Sequence, residues 1–102
     1  SRLGQQLNLL SYIRGPLYLE RASPQLIEIH SPEDLVIPLK SLGLYLNPND
    51  ENSINEASKS SDVLARMAAA ISEGASDRLL IELLKDSSSA IRRLAAIQLM
   101  KQ

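Results

Sequence analysis

The chain has no cysteine, which excludes disulfides and thiolate metal ligands. Phenylalanine and tryptophan are also missing, so Tyr12, Tyr18 and Tyr45 are its only aromatic residues and few surfaces exist on which single-stranded bases could stack. The one histidine, His30, has no second histidine or cysteine with which to form a metal set or a nucleophile–base pair, and it reads as a surface or loop residue. Gly4, Gly15, Gly43 and Gly74 stand apart, so no glycine-rich phosphate cradle is present. No apolar run approaches the roughly 20 residues that span a bilayer, and the start of the chain lacks a basic segment followed by an apolar one. Neither sign of charge dominates. The 11 Lys and Arg against 12 Asp and Glu give a net charge of −1, too little to create a field for nucleic acid or anionic lipid.

What is present is the composition of an ordinary globular domain, 44% apolar and 23% charged. The 102 residues suit one domain with one core, burying about 60 to 65 per cent of the unfolded surface. The composition fits a cytoplasmic protein, and a first residue of Ser1 rather than methionine points to a processed chain or a piece of a longer one. Organisation is clearest in residues 76–102, SDRLLIELLKDSSSAIRRLAAIQLMKQ. Ser76 and Asp77 are residues that cap and charge a helix start. Leu79, Leu80, Leu83 and Leu84 then form one stripe at helical spacing, with Arg78, Glu82 and Lys85 on the other side. Asp86 to Ser89 break the helix, because their short side chains compete for nearby backbone groups. Ile91, Leu94, Ala95 and Leu99 resume the spacing in a second helix.

Leu84, Lys85 and Asp86, followed by Ile91, Arg92, Ala95, Ala96 and Leu99, resemble the second half of a HEAT repeat. The resemblance covers about a quarter of the chain. It implies stacked helical hairpins that present a binding groove, with Asp86 and Arg92 paired near the turn or with equivalents in a neighbouring repeat. Arg92 and Arg93 lie in the first turn of their helix, where cations oppose the macrodipole, so something other than local helix stability must account for them.

Upstream, Leu3, Leu7 and Leu10 predict an amphipathic helix over residues 1–14, ended by Gly15 and Pro16. Residues 17–46 support two readings. In one, residues 17–20, 26–30, 35–39 and 44–46 are short strands and Ser31-Pro32-Glu33-Asp34 is a hairpin loop. In the other, the same four residues start a helix carrying Leu35, Leu39 and Leu42 towards Gly43, with Pro38 kinking it. Asn47 to Asn52 form a polar loop that separates this part, 1–46, from a helical HEAT-like part, 53–102. There, a Ser53–Glu56 capping box predicts one helix over residues 53–73, closed by a left-handed Gly74. Val63, Met67 and Ile71 align with Ile91, Ala95 and Leu99 at an offset of 28 (91 − 63), which suggests a degenerate internal repeat.

The expected fold is therefore mainly α, a small antiparallel helical bundle or HEAT-like hairpins, with residues 17–46 either a β-hairpin or helical. The expected function is a non-enzymatic module for protein–protein interaction or assembly, binding another protein or itself, with no cofactor, metal or membrane. Nucleic-acid binding through the basic C-terminal helix is the alternative. Arg78, Arg92, Arg93 and Lys101 are the candidate binding residues, with Arg66 as a neighbour. Glu33 with Asp34 and Asp50 with Glu51 read as helix-start and loop charges rather than an acid–base pair, since adjacent residues point different ways. Leu80, Leu83 and Leu84 spell LxxLL, but the core claims all three.

Overall fold

A computed structural model describes residues 8–13, 17–20 and 26–101, and these are mainly helical. The described residues contain five α-helices: α1 Val36–Ser41, α2 Glu51–Ser58, α3 Val63–Ile71, α4 Asp77–Leu83 and α5 Ser89–Met100. Two 3-10 turns, Leu9–Tyr12 and Pro32–Leu35, precede them. Strands β1, Leu17–Glu20, and β2, Leu26–Ile29, pair antiparallel with Leu17 opposite Ile29 and Glu20 opposite Leu26. Residues 1–7 and 14, eight of the fourteen in the helix expected over 1–14, lie outside the described residues. In the remainder, Asn8 has φ 50 and ψ 50, a left-handed conformation that no α-helix can pass through, and a 3-10 turn follows it.

Residues 31–42 are helical, not a loop joining two strands. Asp34 decides this locally: its carboxylate accepts the backbone N–H groups of His30 (2.8 Å) and Ser31 (3.2 Å), fixing the entry into the 3-10 turn. Pro38 is accommodated because it falls in the first turn of α1, where its missing N–H would have had no intrahelical partner. Leu35 and Leu39 are fully buried, whereas Leu42 is 47% exposed and leaves the expected stripe. Gly43 (φ +72) closes α1: its N–H donates to the Lys40 carbonyl and that of Leu44 to the Leu39 carbonyl, a Schellman ending that needs a left-handed residue.

The helix expected over 53–73 is two helices. It starts earlier, at Glu51, because the Asp50 carboxylate accepts the N–H of Ser53 (3.1 Å) and its hydroxyl (2.7 Å), bonds that hold the exposed Asp50 carboxyl below its ordinary value. It breaks at Lys59 to Asp62, where Asp62 takes the N–H of Leu64 (2.9 Å) and begins α3. Replacing Asp62 with alanine should therefore cost about 1 kcal/mol in a denaturant titration, the usual value of a lost N-cap. Gly74 is not left-handed.

Helices α2–α3 and α4–α5 are two antiparallel hairpins laid side by side, α3 against α5 and α2 against α4. Alanines make the closer seam: Ala69, Ala70, Ala95 and Ala96 are completely buried, small enough for the two backbones to approach. The N-terminal part covers the α3–α5 layer. The first 3-10 turn packs on α5, the second on α3 and α5, and α1 on α3. Leu9, Ile29, Leu35 and Leu39 thus join Ile54, Leu80, Ile91, Leu94 and Leu99 in a single core. No described helix is long and apolar enough to cross a membrane.

The two hairpins share one register. The N-caps Asp50 and Ser76, the N-caps Asp62 and Ser88, and the arginines Arg66 and Arg92 are all 26 apart (76 − 50, 88 − 62 and 92 − 66). In this register Glu56 meets Glu82, Lys59 meets Lys85, Ala69 and Ala70 meet Ala95 and Ala96, and Ile71 meets Ile97. The offset of 28 aligned apolar positions half a helical turn away and so missed the arginine pair.

Candidate functional site

The only long-range charged bonds among the described residues that join the two hairpins centre on Asp86, in the turn between α4 and α5. The turn forms because Leu84 ends α4 and Ser88 caps α5, and the Asp86 carboxylate folds back to accept the Ser88 N–H at 2.9 Å. Its other contacts come from the first hairpin. Arg66 Nε donates to Oδ2 at 2.9 Å and Nη2 to Oδ1 at 3.3 Å, a two-point fork of the kind that makes arginine–carboxylate pairs strong and directional. The side chains are 15% and 8% exposed, so water screens the pair poorly.

Both arginines sit in the same kind of seat. Arg66 Nη1 donates to the carbonyls of Ser60 (2.8 Å) and Ser61 (3.1 Å), in the turn before α3. Arg92 Nη1 donates to the carbonyls of Asp86 (2.7 Å) and Ser87 (3.1 Å), in the turn before α5. Each cation therefore satisfies two loop carbonyls that no helix could serve, and this offsets its unfavourable position near a helix N-terminus. The Asp86 carboxylate goes to Arg66, whereas Arg92 holds the Asp86 backbone. Sequence reasoning named Arg92 and gave Arg66 only a neighbouring role; the signal was the shared Ser-x₄-Arg spacing from Ser61 to Arg66 and from Ser87 to Arg92.

The other candidate cations are placed separately. Arg93 is half-buried beside Arg92. Lys101 follows the end of α5, about 14 Å along the axis from Arg92, and pairs with Glu33 of the second 3-10 turn. Arg78 lies exposed at the start of α4, the far end of that helix from the Asp86 turn, and shares a depression with Glu51 and Glu82. Among the described residues no hydrogen bond or ion pair links these cations, and acids stand beside two of them.

A groove of about 350 Å³ runs between the N-terminal part and the ends of α3 and α5, with Val36, Ile71 and Leu80 in its lining and Glu33, Glu73 and Lys101 contributing charge. The Lys101 ammonium, bonded to the Glu33 carboxylate, holds the Glu33 pKa down at about 2 instead of 4.5. Stability from this pair is fully present above pH 4.5 and fades as the pH falls towards 2. Because both side chains are well exposed, the contribution should stay below about 1 kcal/mol. Comparing the protein with its Lys101→Met variant by denaturation at pH 7 and at pH 3 should show the difference shrinking at the lower pH and in high salt. Among the described residues no group of His, Cys, Asp and Glu could hold a metal ion.

Comparisons with protein-family models, with curated proteins and with solved structures find no match to this chain.

Proposed function

We propose that the chain is a non-enzymatic module for protein interaction or assembly, built of HEAT-like helical hairpins and acting in the cytoplasm. The observation that carries this reading is the Arg66–Asp86 fork, which joins equivalent turns of two hairpins in one 26-residue register. A charged clasp between stacked units sets the step from one hairpin to the next, which is the task of a scaffold. The layer of α3 and α5, where a groove would be sought, is covered by the chain's own N-terminal part, so binding falls to the turns and helix ends. Nucleic-acid binding draws less support, because Arg78, Arg92 and Lys101 are spread over different ends of the helices and Lys101 is already paired.

Light scattering across a dilution series, followed by quantitative binding to proteins from the native source, tests the reading. A partner that binds the full chain saturably, and binds an Arg93→Glu variant of unchanged fold more weakly, supports it. Saturable binding to an oligonucleotide that weakens steeply with salt, with no protein partner, overturns it in favour of the alternative.

A further inference from the structure

The groove between the N-terminal part and the ends of α3 and α5 lies within the stack of hairpins. Its lining contains three pairs of residues 26 apart, Tyr45 with Ile71, Ser72 with Gln98 and Ala75 with Lys101 (71 − 45, 98 − 72 and 101 − 75). Neighbouring units therefore supply its walls, and the next position of the register falls beyond Lys101, outside the groove. The floor is apolar, with Ile71, Ala75 and Leu80 at most 8% exposed, and the rim carries two acids, Glu33 and Glu73, against one lysine.

The two hairpins end differently on this rim. Helix α5 ends on Lys101, whose cation faces the negative end of the helix and also meets Glu33. Helix α3 has no basic residue in its last turn, and Ala75 stands where the second hairpin has its lysine. Glu73, exposed just after the end of α3, has no ion-pair partner among the described residues. We propose that the groove is a docking site for one arginine side chain of a protein partner, its guanidinium on the Glu73 carboxylate and its methylene stem between Val36 and Ile71.

The inference rests on the interaction-module reading and adds the site and the chemistry of the partner. A helix C-terminus without its own cation and an unpaired acid both favour positive charge at the same place. The volume of about 350 Å³ suits a side chain, because one turn of a helix, about 10 to 12 Å across, would overfill it. Arginine fits better than lysine: it is less strongly hydrated, its fork matches a carboxylate, and its stem can lie on apolar walls. The Arg66–Asp86 fork shows the same pairing inside this molecule.

The test follows the ¹³C-labelled methyl signals of Val36 and Ile71 in the full chain during titration with acetyl-Ala-Arg-Ala-amide. The same peptide with citrulline, which keeps the shape of arginine without its charge, is titrated in parallel. Both methyl signals should shift saturably with the arginine peptide, and the citrulline peptide should bind at least about tenfold more weakly. Glu73→Gln, an exposed substitution whose fold is checked by circular dichroism, should show a similar loss. Lys101→Met removes the competing cation and releases Glu33, so it should bind the arginine peptide more tightly. Unmoved methyl signals, equal binding of the two peptides, unchanged affinity in Glu73→Gln or weaker binding by Lys101→Met overturns the proposal. A protein partner held equally by the full chain and by Glu73→Gln would overturn the role of the groove while leaving the interaction module standing.

Discussion

Gly74→Ala is expected to destabilise the protein by about 3 kcal/mol or more, at the upper end of what overpacking costs. A Cβ on Gly74 would lie 2.0 Å from the Pro48 carbonyl oxygen, 2.8 Å from its carbon and 2.9 Å from Cδ1 of Ile54. The Ile54 methyl could turn aside, but the Pro48 carbonyl cannot. It belongs to a turn fixed by Asn49 N–H donating to Asn47 Oδ1 at 2.9 Å and Asp50 N–H donating to the Asn47 carbonyl at 3.0 Å. Moving that turn would displace Asp50, the cap of α2, and Ile54, which is buried at the centre of the first hairpin. The melting temperature should fall by roughly 12 to 24 °C. Gly43→Ala serves as the control: it meets nothing within 4 Å and suffers only the strain of φ +72, about 1 kcal/mol. Equal losses from the two substitutions would show that the Pro48 turn is not seated on Gly74.

Gly74 also marks the limit of what the sequence makes legible. A glycine after an apolar helical run reads as a left-handed ending, and at Gly43 that reading fits the observed Schellman bonds. At Gly74 the glycine is required by a segment some 26 residues upstream crossing over it (74 − 48), a packing event that no local pattern records. The second hairpin was read with nearly its observed bounds because Ser76 and Ser88 are both caps and both lie next to strong apolar stripes. The break in the first hairpin is hidden by Leu64, Ala68 and Ile71, which continue the helical spacing started by Ile54 and Ala57 across the turn. Only the polar run Ser58 to Asp62 betrayed it, through the same competition for backbone groups that ends α4 at Asp86.

Residues 31–42 show a different kind of ambiguity. Alternation and helical spacing were both present, and the choice was made by Asp34 binding two backbone N–H groups and by Pro38 falling in the first turn. Shifted by a few residues, the same proline would have favoured the strands. The candidate site was legible in part. Arg92 stood out because a cation at a helix start needs a reason, but the reason lay in carbonyls of the preceding turn, which carry no side-chain signal. Arg66 reads only as a neighbour of the other cations when the two hairpins are aligned on apolar residues; the caps and the arginines give the 26-residue offset directly.

Removing the Asp86 carboxylate is the other substitution with a large expected effect. Asp86→Ala leaves the nearly buried Arg66 guanidinium without its counter-charge and deprives the Ser88 N–H of its acceptor. A loss of about 3 kcal/mol is expected, within the range for breaking a poorly solvated ion pair from one side. Most of that loss is a penalty for the stranded charge, so Arg66→Met made together with Asp86→Ala should recover a large part of it. The cycle of both single variants and the double variant isolates the term shared by the two residues, expected at about 2 kcal/mol. Asp86→Asn separates the two duties further: an amide oxygen can still accept the Ser88 N–H, while the charged fork to Arg66 is gone. Arg92 keeps both its carbonyl partners in all of these variants, because it binds the Asp86 backbone. A coupling no larger than that of the exposed Glu33–Lys101 pair would mean that the alanine seam alone holds the hairpins in register. A coupling near 2 kcal/mol, lost in the asparagine variant, would establish the fork as the clasp that holds one hairpin against the other.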